Sequence, residues 1–81
     1  MKVRYSQAAD KQYDALSPSL KRAFDKQLTA LVSDIRYPSL RAKKFDEATG
    51  LWQARINDSW RFYFLIANDI YFIIGIRDHP K

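Results

Sequence analysis

Between Leu51 and Ile76 three runs of β-branched and aromatic residues, Leu51 to Ile56, Trp60 to Ile66 and Ile70 to Ile76, are separated only by Asn57-Asp58-Ser59 and Ala67-Asn68-Asp69. Strands joined by so few residues must fold back on one another, because a parallel crossover needs about a dozen residues or more. The second half of the chain is therefore read as an antiparallel meander. Alternation gives that meander two unlike faces. Trp52, Ala54 and Ile56, then Trp60, Phe62, Phe64 and Ile66, then Ile70, Phe72, Ile74 and Ile76 form an apolar face that helices should cover. Gln53, Arg55, Arg61, Tyr63, Gly75 and Arg77 fall on the other.

The first half supplies the cover. Val3 to Ser6 reads as a short strand and Gln7 to Leu16 as a helix. Ser17-Pro18 is the sharpest local signal in the chain, an N-cap followed by proline at the first helical position. Leu20, Phe24, Leu28, Leu31 and Ile35 then recur at spacings of four and three, as an amphipathic helix requires. Pro38 stops it. The segment YPSLRAKKFDEATG that follows is a loop with a short strand near Ala42 to Phe45. These elements predict one α+β domain spanning residues 1–81, in the order βααβββ, with a helical hairpin packed on one face of an antiparallel sheet. The buried set expected between them is Leu20, Phe24, Leu28, Leu31, Trp52, Phe62, Phe64, Phe72 and Ile74.

Register follows from keeping the apolar face together. Three-residue turns at 57–59 and 67–69 would pair Arg55 with Arg61, Ile66 with Ile70, and Arg61 with Gly75, leaving Arg77 diagonal to Arg61. Facing arginines repel, and stability alone does not ask for them. An anion held between them reverses that sign, and the planar guanidinium fork suits phosphate. The net charge of +5 and the sequence pI of about 9.7 also favour polyanionic or acidic partners.

Metal-free cleavage of RNA needs donors for the charge that grows on the phosphate, a general acid for the leaving 5′-oxygen, and a base for the 2′-hydroxyl. Arginine suits the first role. His79, the only histidine, suits the second and would continue the arginine face if the last strand runs on. Lys43, Lys44, Asp46 and Glu47 are the candidates for the base, and neighbouring positive charge would lower a lysine's pKa. With one histidine and no cysteine, a standard structural zinc site is excluded. Neither a phosphate-binding glycine loop nor a serine-hydrolase elbow occurs. No cofactor or metal is expected. The N-terminal stretch lacks an apolar signal core and no segment approaches a membrane span, so a cytoplasmic protein without membrane contact is expected.

The segment YPSLRAKKFDEATGLWQARINDSWRFYF, followed by a short strand and a near-terminal histidine, resembles the RelE/ParE toxin superfamily of bacterial type II toxin–antitoxin systems. The resemblance covers nearly the whole chain and implies a RelE-like fold. It also implies a ribosome-dependent mRNA endonuclease acting in the A site and held inactive by a cognate antitoxin. It leaves the oligomeric state open, a toxin–antitoxin heterotetramer among the options. By position, Arg61 matches the strand arginine that holds the scissile phosphate, His79 the histidine acting as general acid, and Lys44 the basic residue before the meander. Arg41, Lys43, Arg55, Tyr63 and Arg77 would bind substrate. Two departures stand out: Pro80 replaces a tyrosine, and the glutamate base of one branch has no counterpart before the lysines. A ParE-like inhibitor of DNA gyrase, not a nuclease, is the alternative on the same fold.

Overall fold

The computed structural model describes residues 1–78. Strand β1 (Lys2–Tyr5) leads into α1 (Gln7–Asp14) and α2 (Pro18–Ser33), then a single 3₁₀ turn (Pro38–Leu40) and strands β2 (Lys43–Asp46), β3 (Leu51–Arg55), β4 (Trp60–Ala67) and β5 (Ile70–Asp78). The α+β class, the helix pair and the meander are as the sequence predicts. The sheet has the order β1-β5-β4-β3-β2. It is mixed rather than wholly antiparallel, because β1 joins the edge of β5 in parallel. The two helices between β1 and the meander supply the crossover that a parallel neighbour demands.

Both helix starts are set by serines. Ser6 Oγ accepts from the N–H of Ala9, and Ser17 Oγ from that of Leu20, with Pro18 in the first turn. Helix α2 lies over the apolar face, where Phe24 meets Phe62 edge-on with ring centroids 5.1 Å apart. Phe24, Leu31, Leu40, Phe62, Phe64 and Ile73 are the largest fully buried side chains. Tyr13 donates to both carboxylate oxygens of Asp25 at 3.0 and 3.1 Å, tying α1 to α2.

The β4–β5 pairing departs from the predicted register in two places. The turn comprises two residues, Asn68 and Asp69, so Ala67 pairs with Ile70 and Ile66 with Tyr71. Asn68 makes this possible by taking a left-handed φ of 56°, which asparagine tolerates better than most residues. Further along, β5 carries a bulge: Phe64 pairs with Ile73 but Tyr63 with Gly75, leaving Ile74 unmatched. Between turn and bulge, parity is the reverse of that expected. Tyr71 and Ile73 face the core, Phe72 is only half-buried, and Ile74 is 37% exposed. Phe72 and Ile74 are therefore withdrawn from the core, and Trp52, Leu20 and Leu28 flank it partly buried. Beyond the bulge parity returns, with Ile76 buried and Arg77 outward. The two shifts together move β5 by two residues, so Arg61 faces Arg77 and Tyr63 faces Gly75.

Two adjacent isoleucines should thus respond very differently to truncation. Ile73→Ala removes a fully buried side chain and is expected to cost about 2–5 kcal/mol, whereas Ile74→Ala should cost less than about 1 kcal/mol. Urea midpoints of the two variants measure this, and equal losses would contradict the register that the two-residue turn sets.

Candidate functional site

On the face away from α2, side chains line up in rows across the strands. Arg55 pairs with Arg61 and Arg61 with Arg77, so three arginines stand in register on β3, β4 and β5. The next row is Lys43, Gln53, Tyr63 and Gly75. Beyond it, Leu65 faces Phe72. The face therefore grades from cationic through polar to apolar.

The sharp β3–β4 turn makes the arginine row tolerable. Asn57 Oδ1 accepts from the N–H groups of Ser59 and Trp60 at 2.9 and 2.8 Å, an Asx-type turn that aims backbone carbonyls toward the row. Arg61 Nη1 donates to the carbonyls of Asn57 at 2.7 Å, Trp60 at 3.0 Å and Asp58 at 3.3 Å. Arg55 Nε donates to the Asn57 carbonyl at 3.3 Å, and Arg55 Nη2 pairs with the Asp58 carboxylate. Carbonyl dipoles and one carboxylate offset a repulsion worth roughly 0.2–1 kcal/mol per facing pair. Arg77 makes no ion pair among the described residues.

A cleft of about 330 Å³ beside the row is lined by Arg41, Lys43, Gln53, Ala54, Arg55 and Arg61. Arg41 closes the 3₁₀ turn with a left-handed φ of 46°, a conformation that disfavours side chains larger than glycine. Gln27, buried on α2, fixes the neighbouring backbone: Nε2 donates to the carbonyls of Ser39 at 2.9 Å and Arg55 at 2.8 Å, while Oε1 accepts from Ser39 Oγ. The sequence reading missed Gln27. Its only signal there was a polar residue near the apolar stripe of α2.

Of the residues singled out from sequence, Arg41, Lys43, Arg55 and Arg61 come together at this cleft, with Tyr63 and Arg77 alongside on the same face. Lys44 does not join them. It pairs with Trp52, which belongs to the core side, and its ammonium lies 5.6 Å from the Trp52 ring centroid and 3.8 Å from Glu47. Strand alternation gives the reason: of two adjacent lysines, only one can face the arginines. His79 lies outside the described residues. No cluster of His, Cys, Asp or Glu able to hold a metal occurs among the described residues.

Arg41→Gly should separate stability from binding. Relief of the left-handed φ offsets the added freedom of the unfolded chain, so stability is expected to stay level or rise by up to about 1 kcal/mol. Affinity of the cleft for a polyanionic probe such as inorganic polyphosphate should fall, with a shallower dependence on salt because one cation of the lining is removed. Melting curves and binding isotherms at two salt concentrations measure both.

No protein-family model matches the sequence, and no curated protein matches it. Solved structures do. The chain is similar over 99% of its length to the YoeB/ParE toxin from Agrobacterium tumefaciens, at 14% identity, covering 100% of that chain with a TM-score of 0.83. It is similar to a chain of the archaeal RelE–RelB complex from Pyrococcus horikoshii at 15% identity, covering 99% of this chain and 96% of that one, with a TM-score of 0.80. A chain of the heterotetrameric YoeB–YefM toxin–antitoxin complex from Staphylococcus aureus matches at 14% identity over 99% of this chain and 98% of that one, with a TM-score of 0.78. A two-helix, five-strand chain that matches these proteins over 99% of its length has the RelE-like fold.

Proposed function

We propose that this protein is the toxin of a type II toxin–antitoxin system, an endoribonuclease that cleaves mRNA in the ribosomal A site and is restrained by a cognate antitoxin. The observation that carries this reading is the in-register row Arg55, Arg61 and Arg77 on the uncovered face of a RelE-like fold. Three guanidinium groups on a rigid sheet form a preorganised receptor for a phosphate whose charge increases during reaction. In the reaction, the 2′-oxygen loses its proton and bonds to phosphorus while the bond from phosphorus to the 5′-oxygen breaks. Arg61 and Arg77 stabilise the oxygens that carry the growing charge.

His79 is the proposed general acid for the leaving 5′-oxygen, a role suited to imidazole at neutral pH. For the base, Lys43 is better supported than Lys44, Asp46 or Glu47, because it shares the cleft with Arg55 and Arg61. Lys44 is proposed to contribute instead through Trp52 and the shape of the β2 edge. The antitoxin reading draws on the neighbours solved as RelE–RelB and YoeB–YefM complexes, and on the net charge of +5, which suits an acidic partner. A cytoplasmic setting accompanies ribosome binding.

Induction in growing bacteria, with mapping of mRNA 5′ ends, tests the reading. The wild type should generate new ends within translated codons. Arg61→Ala should reduce cleavage by about 10²–10³-fold and His79→Ala by about 10²–10⁴-fold. Growth arrest with intact mRNA and inhibited DNA gyrase would replace the nuclease by the ParE-like alternative.

A further inference from the structure

Beside the arginine row lies a second cavity, of about 350 Å³, whose lining includes Gln12, Phe45, Leu51, Tyr63, Gly75 and Arg77. Phe45 is 56% exposed and stands edge-on to Tyr63, with ring centroids 5.2 Å apart. Leaving so much of an aromatic ring in water forgoes its burial, and on β2 nothing in the fold asks for it. Tyr63 is anchored from the other side by Gln53 Nε2, which donates to its hydroxyl at 3.0 Å. The cavity floor is Gly75. Its backbone is not left-handed, and a Cβ there would meet only Gln12 Oε1, at an ordinary 3.7 Å. Neither conformation nor crowding requires glycine at this position. What the missing side chain leaves is open space against the Tyr63 ring.

Gln12 gives the rim a direction. Its Oε1 accepts from the Ile76 N–H at 2.7 Å, which fixes the amide so that Nε2 can only donate, and Nε2 has no partner among the described residues. The cavity thus combines two aromatic rings, a donor with capacity to spare and the cation Arg77. Tyr63 lies two residues from Arg61 on the same face of β4, about 7 Å along the strand. That is the span of one nucleotide from phosphate to base.

We infer that this cavity is a nucleobase subsite of a single-stranded RNA. One base stacks on the exposed ring of Phe45, meets the Tyr63 ring edge-on above Gly75 and accepts a hydrogen bond from Gln12, while its phosphate lies on Arg61 and Arg77. The inference deepens the ribonuclease reading by naming where substrate bases are held, and rests on it for the choice of RNA. Aromatic stacking of this kind tolerates any base, and the Gln12 donor favours one with a carbonyl oxygen or ring nitrogen at that edge.

The test uses the full chain and an unstructured RNA oligonucleotide, alongside the same backbone lacking bases. Phe45→Ala should weaken oligonucleotide binding by about 5–150-fold and Phe45→Trp should retain it, the range expected for one stacked base. Gly75→Val should weaken it similarly without lowering the melting temperature, since a β-branched residue suits a strand and its methyls occupy the cavity. The base-free backbone should bind all of these variants alike. Inorganic phosphate should shift the amide resonances of the arginine row only, and a nucleoside monophosphate those of Phe45, Tyr63 and Gly75 as well. Phe45→Ala or Gly75→Val binding the oligonucleotide as tightly as wild type would overturn the subsite, even with cleavage intact. Phe45-dependent binding without cleavage would keep the subsite and discard the nuclease.

Discussion

The pairing of β4 with β5 is the interaction on which the rest of the structure depends. These two strands form the centre of the sheet, with β3 and β2 on one side and β1 on the other. Their hairpin begins with a two-residue turn at Asn68 and passes through the bulge at Ile74. The bulge reverses which residues of β5 face α2. Ile73 and Tyr71 fill the core against Phe64, and Ile76 continues it beyond the bulge, beside Phe62. Burial and the nearby Asp34 charge hold the Tyr71 phenol above its ordinary pKa. The same offset brings Arg77 opposite Arg61 on the outer face. Core packing and site assembly are thus two consequences of one register.

Side chains complete what the backbone ladder leaves open. β1 ends at Tyr5, opposite Ile73, so the edge of β5 beyond that point lacks a strand partner. Ser6 donates to the Ile74 carbonyl and Gln12 accepts from the Ile76 N–H, which lets α1 take over the edge. On the far side of the site, Gln27 performs the same service for Ser39 and Arg55. Gln27, a buried amide with its partners in place, fixes geometry more than it adds stability, because leaving one partner unmatched costs more than the bond contributes. Gln12 thus ties α1 to β5, and Gln27 ties α2 to the backbone of Arg55.

The arginine row shows a local conflict settled by local structure. Three like charges in adjacent strands oppose folding, yet the Asn57-Asp58-Ser59 turn bends its carbonyls and one carboxylate onto two of them. Asp58 is well exposed, so its pairing with Arg55 is weak. Arg41, held in a left-handed conformation next to the same cleft, adds a second local cost. Charge repulsion and backbone strain gathered at one cleft are what single it out as the candidate site.

The sequence by itself determined the elements: serine caps, the proline stop, the apolar stripe of α2 and the alternation of the meander all act over a few residues. It also determined that Arg55 would face Arg61, because the Asn57-Asp58-Ser59 turn fixes that pair within one hairpin. Only the tertiary structure decided the rest. Gly75 inside a strand run was a sign of a possible bulge, but not of its consequence, since any of the isoleucines in Ile73-Ile74-Gly75-Ile76 suits the core. Which of them is buried depends on the whole β4–β5 contact and on Phe64 across it. The parallel pairing of β1 was equally hidden, since a four-residue strand carries no sign of its partner or direction. Lys43 and Lys44 read alike as a pair, and only the register with Gln53 and Trp52 sends one to the arginines and the other to an aromatic ring.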